Sequence, residues 1–322
     1  MLRSSVRRLV QALPLVLFVS LICFVLIELA PYDAVDTFAT PNMPPATVDA
    51  LKARYGLDQP AWIRYFHWAA NALTGNLGYS IISHAEIGPE LAPRLGATAL
   101  LVVPAYTLAL GLALFLGLWA GTRPGSLADR VVDKLSAVAS ALPAFWVALL
   151  MIYLFSYTLR WFPVLGMRTI GVDETWTDLA WHAVLPVLVL ALANLPELVR
   201  YVRSAAADQM ASEYVLVQRA LGAPHGEVVR GHVFKNVLLP VITLAGMSLP
   251  LLVTGAVITE SVFSWPGMGT YFIRAIQALD YPVVLAVLLL SSTAVIVGNL
   301  VADLLYAWAD PRVRAFRREV RS

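Results

Sequence analysis

Charge is scarce in this sequence, and cysteine scarcer still. Only 14% of the 322 residues are Asp, Glu, Lys or Arg, while 59% are hydrophobic; an average soluble domain is roughly 25% charged. That balance excludes a soluble globular enzyme, and it equally excludes disorder and a collagen-like chain. One cysteine, Cys23, cannot close an internal disulfide. Set in an apolar run, it reads as a small buried hydrophobe. Chemical motifs are missing as well. No Gly-x-x-x-x-Gly-Lys-Ser/Thr occurs, so the chain cannot bind and hydrolyse ATP as a P-loop protein does. No His-Glu-x-x-His and no Gly-x-Ser-x-Gly occurs either, which removes two common hydrolase sites. The five histidines (His67, His84, His182, His225, His232) are scattered without ligand spacing, so no metal site is expected.

What the chain has in abundance is long hydrophobic runs, and its mean hydropathy is +0.72. A membrane span needs about 20 mostly apolar residues to cross a hydrocarbon core of roughly 30 Å. Six runs qualify: 9–30, 96–120, 135–158, 183–202, 237–258 and 283–308. None alternates with period two, so a β-barrel is excluded. The fold class expected is all-α, a polytopic membrane protein of six transmembrane helices. The first run follows Arg3, Arg7 and Arg8, as in a signal peptide. It is too long for one, however, and carries Glu28 where a small residue should precede a cleavage site; it reads as a retained span. Placing both termini inside puts 16 of the 23 Lys and Arg on inner segments and 7 on outer ones. The positive-inside rule therefore favours N-in, C-in. Trp161, Phe162, Trp181, Tyr306 and Trp308 fall near the expected boundaries, as an interfacial aromatic belt would.

The connections are unequal. Residues 31–95 form a long outer excursion, in which Asp58 and Pro60 look like a helix start. Trp62, Tyr65, Phe66, Ala69 and Leu73 then recur at helical spacing, predicting one apolar face. Such a helix either lies in the membrane interface or packs over the bundle as a flap or docking surface. The second excursion, 203–236, is on the inner side. It reads as a helix over 206–221, a Gly222-Ala223-Pro224 turn and a second helix from about Gly226. Its stripe of Tyr214, Val217 and Leu221 is apolar outside the membrane and needs a partner to bury it. The last outer segment, 259–282, holds a Ser264-Trp265-Pro266-Gly267-Met268-Gly269 turn and a predicted helix over 271–279. It is either a re-entrant hairpin or a surface turn.

Within the runs, Pro104, Pro143, Pro186, Pro196, Pro240 and Pro250 predict kinks. Glu28 and Asp303, with Glu197 near an inner boundary, are the few carboxylates at membrane depth. The first two lie toward the ends of their runs, where snorkelling, or for Asp303 a hydrogen bond to Asn299, accounts for them. Asn194, beside Pro196, is either a path-lining residue or half of a helix–helix hydrogen bond. No repeat relates the two halves, which argues against a self-sufficient carrier or channel. No convergent polar site can be assembled for a membrane enzyme.

An ordered set of motifs then points to one family. Tyr55-Gly56-Leu57-Asp58-Gln59-Pro60 and Gly75-Asn76-Leu77-Gly78-Tyr79-Ser80 lie in the outer excursion. Arg123-Pro124-Gly125-Ser126 with Asp129-Arg130 follows the second run, and Pro143-Ala144-Phe145-Trp146 resembles the start of span three. The inner excursion carries Glu213-Tyr214-Val215, Arg219-Ala220-Leu221-Gly222, and His232 through Asn236 to Pro240. Thr259-Glu260-Ser261-Val262-Phe263-Ser264-Trp265-Pro266-Gly267 and Asp310-Pro311-Arg312-Val313 complete the series. Together they resemble the inner-membrane permease subunits of binding-protein-dependent ABC importers, in the dipeptide/oligopeptide/nickel branch.

The resemblance implies a type I importer permease working by alternating access, a transport protein rather than an enzyme. Its expected partners are a second, similar permease subunit, two ABC ATPase subunits (or one dimer), an extracytoplasmic substrate-binding protein and the lipid bilayer, with no nucleic acid. No cofactor is expected on this chain; ATP and Mg belong to the ATPase subunits. The inner excursion would be the EAA-type coupling loop, with Glu213, Tyr214, Val217, Arg219, Ala220, Leu221 and Gly222 its coupling residues. Leu216, Val217 and Gln218 stand at the eponymous Glu-Ala-Ala positions. The Glu is thus absent, as it often is in the peptide branch, and packing must carry the contact. Glu260, Trp265, Pro266 and Gly267 become outer-gate or docking candidates. The organisation implied is 1–95 (first span and outer loop), 96–309 (five-helix core with the coupling loop at about 203–236) and 310–322 (basic tail). Peptide is the cargo implied; nickel, metal chelates or other small solutes are the alternatives.

Overall fold

The computed structural model describes residues 14, 16–22, 24–25, 28–29, 43–54, 56, 58–238, 241 and 256–309. At 51, 54 and 302–309 it describes the backbone alone. The run 9–30 is therefore described in part and the run 237–258 lies largely outside the described residues, as do Cys23, Pro240, Pro250, the Asp303 side chain and the tail 310–322. Every regular element among the described residues is helical; the only β feature there is an isolated bridge between Tyr79 and Glu86. The chain divides into two compact units.

The first unit comprises residues 1–98, 253–257 and 266–296. It holds α1 (Pro45–Arg54), α2 (Ala61–Leu73), the start of α3 (Ile87–Gly121), α10 (Met268–Gln277) and most of α11 (Tyr281–Ala309). Its core is Ile87 and Leu91 of α3 against Met268, Ala275, Val283, Val284, Ala286 and Val287. Two polar side chains fix that packing. Thr98 Oγ1 accepts from the Met268 backbone N–H (2.8 Å), taking up an orphan donor at the start of α10. Asp280 is buried, and its carboxylate accepts from the Ser80 hydroxyl and the Ile81 N–H. The helix expected over 271–279 spans Met268–Gln277 instead. Its end is a Schellman motif: Asp280 N–H bonds Ala275 O (2.8 Å) and Leu279 N–H bonds Ile276 O (3.2 Å), with Leu279 left-handed (φ 57°).

The second unit comprises 99–252, 258–265 and 297–322. It contains α4 (Leu127–Ala141), α5 (Ala144–Met151) with a π-helical continuation Ile152–Thr158, and α6 (Trp176–Met210). It also contains α7 (Glu213–Ala220) and α8 (His225–Val228, continuing as a π-helix over Val229–Val233), and nearly all of α9 (Val257–Val262). Its main core runs along α3 and α6. Ala105, Ala109, Ala113 and Ala120 of α3 are buried with Ala191, Leu198, Val199, Val202 and Ala206 of α6. Gly117 and Gly121 continue the α3 face. A Cβ on Gly117 would sit 2.6 Å from Val202 Cβ, and one on Gly121 would strike the Arg203 carbonyl oxygen. Only glycine permits this approach, the small-residue packing that brings membrane helices together.

Three helices among the described residues are long and apolar enough to cross a membrane: Ile87–Gly121, Trp176–Met210 and Tyr281–Val301. They match the second, fourth and sixth runs. The third expected span, 135–158, is not one straight helix. Residues 135–141 end α4, and the chain bends by 93° before Ala144–Thr158. Pro143 is the physical cause: it drives Leu142 into the extended region (ψ 124°), then itself occupies the N-cap of α5. The helix α6 overruns the fourth run at both ends. Thr175 Oγ1 caps its start by accepting from the Asp178 N–H (3.2 Å), and Pro186 and Pro196 are buried within it.

Candidate functional site

The inner excursion is built as an elbow, and the structure redraws it. The helix expected over 206–221 is two helices. The first, α6, runs to Met210; the Ser212 hydroxyl then folds back to donate to Gln209 O (2.5 Å), and α7 begins at Glu213. After α7, Gly222 is left-handed (φ 86°). Ala223 N–H bonds Gln218 O (3.0 Å) and Gly222 N–H bonds Arg219 O (3.0 Å), a second Schellman turn. Glycine meets that φ without penalty. Pro224 then occupies the N-cap of α8, as expected of the turn. Glu213 in the first turn of α7 and Arg219 in its last complement the helix dipole.

Polar side chains hold the elbow shut. Gln209 Oε1 accepts from the Tyr214 hydroxyl (2.8 Å) and from Asn236 Nδ2 (3.0 Å), and Asn236 also donates to Tyr214 Oη (3.2 Å). The Gln218 amide donates to the His232 ring nitrogen (2.7 Å), and His232 lies 6.1 Å from the Tyr214 ring. The end of α6, α7 and the helical stretch holding His232 and Asn236 are thus joined through two side-chain knots. Val215, 1% exposed, packs into the core beneath. His225, at the start of α8, is held below the ordinary histidine range by burial and by the charges of Arg123 and Arg219.

Outward, the elbow is apolar. Leu216 is 71% exposed, Val217 56% and Leu221 81%. Glu213, Arg219, Ala220 and Gly222 are exposed around them. Tyr214, expected on this stripe, is half-buried and turned into the knot. Its place is taken by Leu216, one turn before Ala220. The exposed face follows 213, 216, 217, 220 and 221, the i, i+3, i+4, i+7, i+8 pattern of one helix side. At the foot of the elbow, Arg203 of α6 pairs with Asp129 (2.5 Å) and Asp133 (3.0 Å) of α4. The Gly125 N–H also donates to Asp129 (2.9 Å). These ties fix the end of α6 to α4 just before the elbow begins.

The remaining sequence-derived candidates are placed as follows. Glu260 and Trp265 are fully buried and Gly267 is buried, so of that group only Pro266 is exposed to a partner. Trp265 N–H bonds Glu260 O (2.8 Å), closing a turn with Ser264 left-handed (φ 53°). Asn194 is half-buried, and its amide donates to Leu190 O (2.8 Å) in its own helix rather than across helices. Glu28 pairs with Arg64. Among the described residues no cluster of His, Cys, Asp and Glu could hold a metal ion. Sequence reasoning missed Gln209, Gln218 and Asn236 as the elbow's fasteners: Gln209 lies in no motif, and the motif positions of Gln218 and Asn236 carried no sign of these hydrogen bonds.

Comparison with known proteins closes the question of kinship. Residues 113–315 match the family described as binding-protein-dependent transport system inner membrane component. Residues 1–99 match its companion, the N-terminal family of binding-protein-dependent transport system membrane components. A Brucella ovis protein provisionally named a peptide permease is 38% identical over 317 residues, 98% of this chain and 99% of that protein. The oligopeptide transport system permease protein AppB of Bacillus subtilis is 35% identical over 309 residues (96% and 98%). The glutathione transport system permease protein GsiC of Escherichia coli K12 is 31% identical over 314 residues (98% and 99%). With three apolar spanning helices among its described residues and both family matches in order along it, this multi-pass membrane chain belongs to the binding-protein-dependent transport system inner membrane component family of ABC importers.

Proposed function

We propose that this chain is the permease subunit that forms half of the translocation path of an ABC importer for di- and oligopeptides. The observation that carries the mechanism is the elbow: a rigidly fastened helix pair whose outer face is leucine and valine in water. Leaving such a face bare is unfavourable, at about 25 cal/mol per Å² of apolar surface. A groove on an ATPase subunit is its natural cover. ATP and Mg are bound there, and this chain contributes no nucleotide site and no catalysis. Closure of two ATPase subunits would push α7. The Arg203 ties and the uninterrupted α6 would carry that push into the bundle, opening the path alternately to each side.

The same reading supplies a second, similar permease subunit across the path and a substrate-binding protein at the outer face, where Pro266 is exposed. Coupling residues are then Leu216, Val217, Ala220 and Leu221 for contact, with Glu213 and Arg219 at the rim and Gly222 setting the turn. Both termini lie inside, in a bacterial or archaeal cytoplasmic membrane. Peptide cargo is supported by the relatives, whose names specify peptide, oligopeptide and glutathione transport. The test is ATP hydrolysis by the reconstituted importer with its binding protein, titrated with di-, tri- and longer peptides and with nickel and nickel chelates. Stimulation by peptides is expected. Stimulation by the metal forms alone overturns the cargo, and ATP hydrolysis fully coupled to uptake in a Val217→Asp, Leu221→Asp variant overturns the elbow as the contact.

A further inference from the structure

The outer helix α2 has two unlike faces. One holds Tyr65, buried, whose hydroxyl meets Ser20 Oγ (2.9 Å) and Leu17 O (3.3 Å), and whose ring lies edge-on to Phe24 (5.5 Å). The other face shows Trp62 (65% exposed), Phe66 (66%) and Leu73 (85%). These recur at i, i+4 and i+11, one side of a helix.

The first face fixes a depth. Leu17 and Ser20 stand near the middle of the apolar run 9–30. At 1.5 Å per residue, Ser20 lies about 15 Å from the outer end of that run, and Phe24 about 9 Å. A spanning run covers a hydrocarbon core of roughly 30 Å. A tyrosine reaching Ser20, with its ring against Phe24, therefore cannot belong to a helix riding above the headgroups. The neighbouring Arg64 points the other way and pairs with Glu28, close to the outer end of the run. That is the geometry of a basic side chain snorkelling from an immersed helix to the membrane boundary. Around the same depth the helical residues described within the run 9–30, here called the first helix, expose Leu17, Phe18, Leu21, Ile22 and Val25, so the surface beside α2 is itself a lipid-facing one.

We infer that α2 is embedded in the outer leaflet, with Trp62, Phe66 and Leu73 in the acyl chains. The occupant of that face is lipid hydrocarbon, continuous with the lipid around the first helix. Tyr65 is the positioning residue: it pins α2 to the first helix and sets its depth. The outer excursion that follows, including the Asp280-clamped turn at Ser80 and Ile81, is thereby held at the membrane surface from one end.

The test uses the assembled importer in vesicles of phosphatidylethanolamine and phosphatidylglycerol. The chain's one cysteine is first replaced (Cys23→Ser). Single nitroxide labels are then introduced at Trp62→Cys, Phe66→Cys and Leu73→Cys, with Asp58→Cys as a water-exposed control. Immersion predicts severalfold greater relaxation of the three labels by molecular oxygen than by a water-soluble nickel chelate, and the reverse at position 58. Greater relaxation by the nickel chelate at the three positions overturns the proposal by placing the face in water. Protection from both reagents overturns it in favour of a protein cover. A Tyr65→Phe variant carrying the label at Phe66→Cys should shift toward the nickel chelate. An unchanged ratio removes Tyr65 from the positioning role.

Discussion

The seam between α3 and α6 and the elbow after α6 use helical packing in opposite ways. In the seam, alanines and glycines bring two backbones together, and a glycine that gained a Cβ would collide with the neighbouring helix. Nothing is left for another molecule to complete. In the elbow, α7 buries Val215 and, in part, Tyr214 and Gln218, while Leu216, Val217 and Leu221 face outward. Polar knots, rather than packing, define its shape. The seam belongs to folding; in the function proposed above, the elbow belongs to assembly. A substitution should therefore damage yield in the one region and coupling in the other.

Gly121→Leu should break the contrast most severely. It drives a branched side chain into the Arg203 backbone, costing more than the about 1–3 kcal/mol typical of overpacking. The expected result is loss of monodisperse protein in size-exclusion chromatography of the detergent-solubilised chain. Val217→Asp or Leu221→Asp comes next, and on the opposite branch. The side chains are exposed, so chain stability should change by no more than about 0.5 kcal/mol. Burying that carboxylate against a partner should lower ligand-stimulated ATP hydrolysis by about tenfold or more, since an unpaired charge is costly to desolvate.

Tyr214→Phe is a finer probe. It removes the hydroxyl from the Gln209–Asn236 knot at a cost of about 1 kcal/mol and should lower transported ligand per ATP hydrolysed while leaving binding of the ATPase subunits intact. A Tyr214→Phe chain as poorly bound as Val217→Asp would erase the distinction between shape and contact. The smallest effect concerns pH. His225 is depressed below the free histidine value of about 6.5. Above that pH it is neutral in both folded and unfolded states, and the elbow's full stability is present. As pH falls through about 6.5 the unfolded state takes up its proton first, so stability is lost progressively toward the lower folded value. Protection factors of the elbow amides, exchange corrected for its intrinsic slowing in acid, should fall mildly on acidification, and His225→Gln should flatten that dependence.

Much of the fold was legible because unbroken apolar runs leave a helix few alternatives. The helices α3, α6 and α11 fall where the runs do. At Pro143 the sequence predicts only a kink within an apolar run. The extended Leu142 instead makes it a full break, separating a charged amphipathic α4 from α5. The stop at Met210 carries no glycine or proline. Its sole signal is Ser212, one N-cap residue among many in the chain. The elbow's apolar stripe was readable from spacing, whereas Tyr214's inward turn was not. It depends on Gln209 and Asn236, which meet it only through tertiary folding. Glu260 and Trp265 show the same limit. The turn-like sequence left a re-entrant hairpin and a surface turn open and gave no sign that Trp265 is among the most completely buried side chains of the described residues.

The makeup of the elbow's outer face also has a thermal consequence. Leu216, Val217 and Leu221 fill the exposed patch, and no charge lies at its centre. Association through such a patch draws on water release, which carries a large negative heat-capacity change and weakens on cooling. Attraction between charges would instead fade with added salt. With α7 as the proposed contact, the joint between membrane and motor should therefore tolerate brine and loosen in the cold.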